Sequence, residues 1–406
     1  MDERERSTEE SLAELEALLE TAGGICCGTI LQSRPAPDPR SFLGEGKVRE
    51  LKELAKSEEC TLAVFDNELS PSQQRALSDD LGIKVLDRSG LILDIFAQRA
   101  QTKEGRLQVE LAQYQYLLPR LTGMWTHLVR QTASGGSSPI GTRGPGETQL
   151  ETDRRHIRRK IDKLEEELQS IRQVRSTQRR AREKNGIPVV ALVGYTNAGK
   201  STLLNKLTGA GIHAQNRLFD TLDTTTRRMQ LNANTAILLS DTVGFIRKLP
   251  HQLVSAFKAT LEELSYADIL LHVIDATNPE WLLQMQVVED LIRELGAGET
   301  PRINVFNKCD CFTGDILPGG RDAVLLSAKT GQGTDMLLGK IGEILSKGKK
   351  QVRVLLPYSR GDLTEMLHRR AEVLGTDYRA DGVLLDVVLT PELFGQVREY
   401  ISSDGE

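Results

Sequence analysis

The chain has 406 residues, enough for about two to four domains. Its 39% hydrophobic and 27% charged residues are typical of a soluble protein, and a net charge of −5 argues against a uniformly basic nucleic-acid binder. No apolar run approaches the roughly 18 residues that a membrane span needs, although peripheral membrane association stays open. The acidic first residues lack the apolar core of a secretory signal. Five cysteines without a CxxC pair favour a reducing cytoplasm.

Strands and helices alternate over the first hundred residues. Apolar patterns predict strands at 23–33, 60–65 and 83–86, with helices at 72–81 and 92–100. Such alternation is typical of a mostly parallel sheet covered by helices. We therefore expect an N-terminal α/β domain over residues 1–105.

A long helical hairpin is predicted over residues 106–185. One helix, 107–121, is expected to end or kink at Pro119, and a second, 148–184, carries an apolar seam for packing on the first. The glycine-rich loop 134–147 joins them and holds one cation, Arg143. Residues 151–184 contain twelve Lys or Arg against seven acids, which suits either a solvated helix face or a surface for phosphate backbones.

The segment after the hairpin carries a phosphate-binding pattern. An apolar, β-branched run at 189–193 predicts a buried strand, and a helix is predicted to start at Ser201. Between them lies GxxxxGK[ST], whose backbone N–H groups can surround a phosphate. Lys200 is expected to reach the β- and γ-phosphates and Ser201 to bind Mg²⁺. The motif residues are Gly194, Tyr195, Thr196, Asn197, Ala198, Gly199, Lys200 and Ser201.

Three further motifs, each after an apolar strand, indicate that the nucleotide is GTP and the product GDP. Asp241 ends one strand and can hold Mg²⁺, while the Gly244 N–H can sense the γ-phosphate. Asp310 can accept both N–H donors of the guanine edge, which adenine cannot match. The motif residues are Asp241, Thr242, Val243 and Gly244, then Asn307, Lys308 and Asp310, then Ser327, Ala328 and Lys329. The GTPase domain is expected over residues 186–350.

A threonine-rich stretch, 219–227, is predicted to be the loop that switches with the nucleotide. One threonine hydroxyl should complete the Mg²⁺ shell, and spacing leaves Thr221, Thr225 and Thr226 as candidates. The other predicted nucleotide-binding residues of this stretch are Phe219, Asp220, Leu222 and Asp223.

Hydrolysis is predicted to be slow. Phe245 follows Gly244 at the position where Ras-type enzymes have a glutamine that orients water, and a phenyl ring makes no such hydrogen bond. Asn197 is a candidate for coordinating K⁺ near the phosphates, which predicts stimulation by K⁺.

The end of the chain, residues 351–406, is predicted to form a small α+β domain. Strands are expected at 352–356 and 383–389, and helices at 363–374 and 391–401. The fold class is therefore α/β, with a P-loop GTPase domain preceded by an N-terminal α/β domain with a long helical hairpin and followed by a small α+β domain.

Three blocks of the sequence resemble the HflX GTPases, a ribosome-associated family. The blocks are DRSGLILDIFA at 87–97 with LQVELA at 107–112, RGPGETQLETDRR at 143–155, and the motifs at 194–201, 219–223 and 241–245. The chain departs from the family pattern at Asp220 and Thr224, which puts the rigidity of the switch loop in doubt but not its ligands.

The resemblance has functional implications. It implies that Thr221 joins Ser201 as a Mg²⁺ ligand, with Lys200, Thr221 and Gly244 as catalytic groups. It also implies a monomer that binds the large (50S) ribosomal subunit and its 23S rRNA, hydrolyses GTP there, and splits or rescues stalled ribosomes under stress, with Arg143 placed against rRNA. The alternative is a signalling GTPase whose hairpin binds a protein or membrane partner.

Overall fold

A computed structural model describes residues 3–121, 145–184, 187–209, 218–219, 225–231, 235–250, 253, 262–312, 323–346, 350–389 and 391–401. Two compact units make up the chain. The first comprises Met1–Arg172, Gln215–Asp223 and Val243–Thr260, and the second comprises Gln173–Ala214, Thr224–Thr242 and Leu261–Glu406. Two short segments from the middle of the chain therefore belong to the N-terminal unit.

The first unit contains a two-stranded parallel sheet and the helices around it. Its elements are α1 (Glu3–Thr21), α2 (Glu45–Ser57), β1 (Leu62–Phe65), α3 (Pro71–Leu81), β2 (Lys84–Asp87), α4 (Arg88–Arg99), α5 (Lys103–Leu117) and the first part of α6 (Pro145–Lys184). Leu77 and Val85 are fully buried between α3 and the sheet. The strand predicted at 23–33 is wrong, because Ile25 and Leu31 remain exposed and give the segment no apolar face to bury.

Asp87 fixes the start of α4. Its carboxylate caps the helix by accepting from the Gly90 N–H (2.8 Å), and it also accepts from Tyr116 Oη (2.8 Å) and Arg120 Nη2 (2.9 Å). The Asp87 carboxylate is fully buried, so its oxygens depend on hydrogen-bond donors from the protein. Burial and the neighbouring Asp87 raise the pKa of Tyr116 above its usual range. These bonds tie α4 rigidly to α5.

The predicted packing of the two long helices is confirmed. Leu111 of α5 and Leu164 and Leu168 of α6 form a buried cluster. α5 ends at Leu117, just before Pro119, as predicted. α6 begins at Pro145, so the last three residues of the predicted loop are helical, and proline is well suited to that first position. The rest of the loop, with Arg143, lies outside the described residues.

The second unit contains a six-stranded sheet with strand order β4-β5-β3-β6-β7-β8. Within this sheet β4 pairs antiparallel with β5, and the other described neighbours pair in parallel. The elements are β3 (Val189–Gly194), α7 (Lys200–Thr208), β4 (Thr225–Gln230), β5 (Ala236–Asp241), β6 (Ile269–Asp275), α8 (Trp281–Glu294), β7 (Arg302–Asn307), β8 (Ala323–Leu325) and α9 (Thr334–Ser346). The last three residues of the predicted switch loop, 225–227, lie in β4 because they pair with β5.

The end of the chain forms the predicted α+β layer. Its elements are β9 (Lys350–Leu356), α10 (Gly361–Arg370), β10 (Glu372–Arg379), β11 (Gly382–Leu389) and α11 (Pro391–Val397), with antiparallel strand order β10-β11-β9. The helix predicted at 363–374 ends early, since Leu374 lies in β10, which hydrogen-bonds to β11. Across the described part of the chain, no helix combines the length and the apolar character that a membrane crossing requires.

Candidate nucleotide site

The phosphate-binding motif forms the turn between β3 and α7, as predicted. Two glycines are required by close approach as well as by backbone angle. A Cβ on Gly194 (φ +154°) would lie 2.2 Å from the Val273 carbonyl oxygen, and one on Gly199 (φ +96°) would lie 2.2 Å from Asn307 Nδ2. Asn197 also has a left-handed backbone (φ +62°), which asparagine tolerates, and its side chain is exposed. The loop is thus a tight cradle lined by backbone.

Lys200 is held inside this cradle. Its side chain is buried, and Nζ donates to the carbonyl oxygens of Gly194 (3.1 Å) and Tyr195 (2.8 Å). Burial lowers the pKa of Lys200 to about 8, with Asp241 acting in the opposite direction. The loop itself therefore positions the Lys200 ammonium group. Because the group is buried, an anion beside it would stabilise its charge.

A hydroxyl and a carboxylate meet beside the loop. Ser201 Oγ donates to Asp241 Oδ2 at 2.7 Å, because β3 and β5 are parallel neighbours that end at the same edge of the sheet. Such oxygen donors are what Mg²⁺ prefers. Thr196 Oγ1 is also buried here and has no hydrogen-bond partner among the described residues. An unsatisfied buried polar atom and two oxygen ligands fit a site for a nucleotide with its cation.

Asn307 connects two loops of this site. Its Nδ2 donates to the Ala198 carbonyl oxygen (2.8 Å) and its Oδ1 accepts from the Ala328 N–H (2.9 Å). Lys308 has a left-handed backbone (φ +64°), and its Nζ bonds to Asp275 Oδ2 (2.6 Å). Both side chains thus hold the loops in place. Sequence reasoning missed Asp275, although it ends β6 as Asp241 ends β5, which is a usable signal.

Asp310 presents an ionised carboxylate at the surface. It lies in a short 3₁₀ helix, Cys309–Cys311, and hydrogen bonds from Ser327 and then Cys311 lower the pKa of Asp310. Ser327 is itself buried and its Oγ accepts from the Thr330 N–H (3.1 Å), while the side chain of Lys329 is exposed. The carboxylate is therefore available as an acceptor for the paired donors of guanine.

The predicted switch loop 219–227 is described only in part, whereas the motif 241–244 is described in full. Asp220, Thr221, Leu222, Asp223 and Thr224 lie outside the described residues. Phe219 is buried, as are Thr242, Val243 and Gly244, and Thr242 Oγ1 donates to the Leu192 carbonyl oxygen at 2.6 Å. Thr226 Oγ1 lies 3.3 Å from Ser240 Oγ within the sheet, and either hydroxyl can be the donor.

Phe245 is a packing residue. Its side chain is 2% exposed, so the ring lies in the interior. A buried phenyl ring has neither the position nor the hydrogen-bonding group to orient an attacking water. The position at which Ras-type enzymes have a glutamine is therefore occupied here by a phenylalanine that packs in the interior.

Three family models match the chain. Residues 9–97 match the GTP-binding GTPase N-terminal region, residues 99–182 the GTP-binding GTPase Middle Region, and residues 189–308 the 50S ribosome-binding GTPase. The GTPase HflX of Caldanaerobacter subterraneus subsp. tengcongensis is 48% identical over 396 residues, covering 97% of this chain and 91% of the relative. The chain belongs to the HflX family of GTPases.

Other HflX proteins agree over similar lengths. The GTPase HflX of Escherichia coli (strain K12) is 46% identical over 367 residues, covering 89% of this chain and 85% of the relative. That of Lacrimispora saccharolytica is 44% identical over 405 residues, covering 99% of this chain and 95% of the relative. As a member of the HflX family with an intact P-loop domain, the chain is a GTPase that binds and hydrolyses GTP.

Proposed function

We propose that this GTPase associates with the large ribosomal subunit and its 23S rRNA as a monomer in the reducing cytoplasm. The observation that carries the proposal is the match of residues 189–308 to the 50S ribosome-binding GTPase model, within a chain that belongs to the HflX family along nearly its whole length. GTP binding favours the ribosome-bound form, and hydrolysis releases it. The purpose of the cycle is to split or rescue stalled ribosomes under stress.

The surface of α6 supports RNA as the partner. Leu164 and Leu168 are buried against α5, which leaves the opposite side of the helix to solvent. That side carries exposed cations, among them Arg158, Arg159 and Lys163. Cations spaced along a straight helix suit the phosphate backbone of RNA, and their binding energy falls as salt screens them.

Within the nucleotide site, Ser201 and Thr221 are the proposed Mg²⁺ ligands. When bound, Mg²⁺ neutralises charge on the β- and γ-phosphates. Lys200 exchanges its two carbonyl partners for phosphate oxygens, and the Gly244 N–H donates to the γ-phosphate. Asp310 accepts from the guanine edge. Because Phe245 is buried and apolar, intrinsic hydrolysis is slow, and an exposed Asn197 offers an oxygen for K⁺ near the phosphates.

Co-sedimentation with purified 50S subunits tests the proposal. The protein should pellet with subunits in a non-hydrolysable GTP analogue and remain in solution with GDP. Arg158→Gln combined with Arg159→Gln should weaken pelleting and reduce its salt dependence. The matched control, Glu165→Gln with Glu166→Gln, changes the charge of two exposed residues on the same helix and should not weaken pelleting. Equal pelleting in both nucleotides, or none in either, contradicts a GTP-dependent ribosome partner.

A further inference from the structure

A second carboxylate lies beside the segment that carries Asp310. It belongs to Asp275, the last residue of β6. β6 and β7 are parallel neighbours, and their register places Asp275 opposite Asn307. The Ala276 N–H also donates to the Asn307 carbonyl oxygen (3.1 Å), so the chain that leaves β6 is bonded to the end of β7. Asp275 therefore adjoins the segment predicted to recognise guanine, residues 307–310, without being part of it.

The two oxygens of Asp275 bond to different loops. Oδ1 accepts from the N–H (3.0 Å) and the Oγ1 (2.6 Å) of Thr277, in the loop that follows β6. Oδ2 accepts from Lys308 Nζ at 2.6 Å. The Asp275 side chain is only 15% exposed, so solvent screens this charge-assisted bond less than it screens a surface pair. Bonding to its own loop requires only Oδ1, and Oδ2 adds a separate link to Lys308.

Lys308 is the point at which the chain turns after β7. Its backbone is left-handed (φ +64°), a conformation that residues with a Cβ rarely adopt and that persists only where the surroundings hold it. The 3₁₀ helix that carries Asp310 begins at the next residue, and the Cys311 N–H donates to the Lys308 carbonyl oxygen (3.0 Å). The turn at Lys308 therefore sets the direction in which the Asp310 carboxylate points.

Core packing does not hold this 3₁₀ helix. None of its three residues is buried, and Asp310 itself is exposed. The backbone is fixed at one point by the Cys309 N–H, which donates to the Leu326 carbonyl oxygen (3.2 Å). Because burial contributes little here, the bond from Lys308 to Asp275 is a main constraint on the orientation of the turn.

We propose that Asp275 is a positioning residue for base specificity: its ion pair with Lys308 holds the turn that directs the Asp310 carboxylate at the guanine edge. The inference rests on the nucleotide site proposed above, in which Asp310 accepts from guanine. The carboxylate has to meet two adjacent N–H donors at once, and hydrogen bonds weaken steeply as their angles depart from linear. A turn that is held less firmly therefore loses discrimination between bases.

Inosine diphosphate (IDP) reports on this alignment. Its hypoxanthine base keeps the ring N–H of guanine and lacks the exocyclic amino group, so Asp310 can accept only one of the two bonds. The wild-type chain should bind GDP about tenfold more tightly than IDP, because the lost bond has a charged acceptor. The GDP-to-IDP affinity ratio therefore measures how well the carboxylate is aligned, separately from the binding of the diphosphate that both nucleotides share.

The test measures this ratio by calorimetry with Mg²⁺ in Asp275→Asn, which keeps the size of the side chain and removes its charge. The ratio should fall about fivefold, chiefly through weaker GDP binding. Glu289→Gln is the matched control, since it neutralises an ion pair to Arg302 of β7 (3.1 Å). The two pairs have similar exposure, at 32% and 23% for Arg302 and Glu289 and 32% and 15% for Lys308 and Asp275. The control should leave the ratio unchanged.

Lys308→Met tests whether Asp275 acts through Lys308. The ratio should fall in this variant as well, and adding Asp275→Asn should lower it no further. An unchanged ratio in Asp275→Asn overturns the inference, as does an equal loss of GDP and IDP affinity, which a merely structural role would produce. A further fall in the double variant also overturns it. Equal binding of GDP and IDP by the wild-type chain would instead refute the role of Asp310 in the proposed nucleotide site.

Discussion

Replacing Asn307 by alanine tests whether one buried amide holds the nucleotide site together. Asn307 is 2% exposed, and its two polar atoms bond to the Ala198 carbonyl and the Ala328 N–H at 2.8 and 2.9 Å. Alanine removes both bonds and strands a buried acceptor and a buried donor. About 1 kcal/mol for each bond, with up to about 1 kcal/mol for each stranded group, gives a loss of about 2–4 kcal/mol in the free energy of unfolding.

Asn304 provides a matched control in the same strand. It also lies in β7, and its Oδ1 has no hydrogen-bond partner among the described residues. Asn304→Ala removes the same atoms without breaking a bond at that oxygen, so we expect a loss of about 1 kcal/mol or less. The difference between the two losses in unfolding free energy measures what the Asn307 bridge between the loops contributes.

Urea unfolding followed by tryptophan fluorescence measures these losses. Trp281 packs edge to face on Phe306, the neighbour of Asn307, with ring centroids 5.4 Å apart, and therefore reports on this part of the second unit. A Trp125→Phe background removes the second tryptophan of the chain. GDP affinity should also fall about tenfold for Asn307→Ala, since about 1.4 kcal/mol of lost loop order suffices. Equal unfolding free energies and equal GDP affinities for the two variants would refute the bridging role.

Three further predictions concern the phosphate loop. Gly199→Ala should lower the free energy of unfolding by about 2 kcal/mol and impair GDP binding, because the added Cβ would meet Asn307 Nδ2. Gly209→Ala (φ +67°, open space) should lower the free energy of unfolding only by the backbone strain of about 1 kcal/mol. Lys200 has a pKa of about 8 before nucleotide binds, so GDP affinity should weaken as pH rises above about 8, where the lysine loses its charge. Binding should take up protons in that pH range, which calorimetry in two buffers detects. Binding that does not depend on pH would contradict this prediction. GTP turnover should be faster in K⁺ than in Na⁺, and Asn197→Ala should remove the difference; equal rates in the wild type would rule out a K⁺ role.

Much of the nucleotide site could be predicted because its signals are local. A buried parallel strand is a continuous apolar run, and the residues after it lie at one edge of the sheet. The run before Gly194 therefore located the phosphate loop, and Asp241 and Asp310 followed their strands as expected. The seam that packs α6 on α5 was predictable for the same reason, since a heptad spacing directly specifies one helix face.

Elements that depend on distant partners were not predictable. The segment 23–33 alternates but buries no face, and Leu374 continues a helical pattern yet lies in β10 because β11 offers it a hydrogen-bonding edge. Nucleotide contact by Asn307 stays a prediction, but no local signal indicated that its amide bonds to two backbone groups contributed by other loops. Propensity is a weak local preference, and pairing with a distant strand or loop overrides it.

The amino-acid order by itself determined much of the local chemistry: a phosphate loop between β3 and α7, an exposed carboxylate at Asp310, and a phenylalanine where Ras-type enzymes have a glutamine. The tertiary structure decided how that chemistry is held. Phe219 and Lys248 look unremarkable in the sequence, and only folding brings them to Phe96 and Asp66, more than a hundred residues away along the chain. Local motifs encode which groups can react, whereas long-range packing and ion pairing decide which distant segments meet.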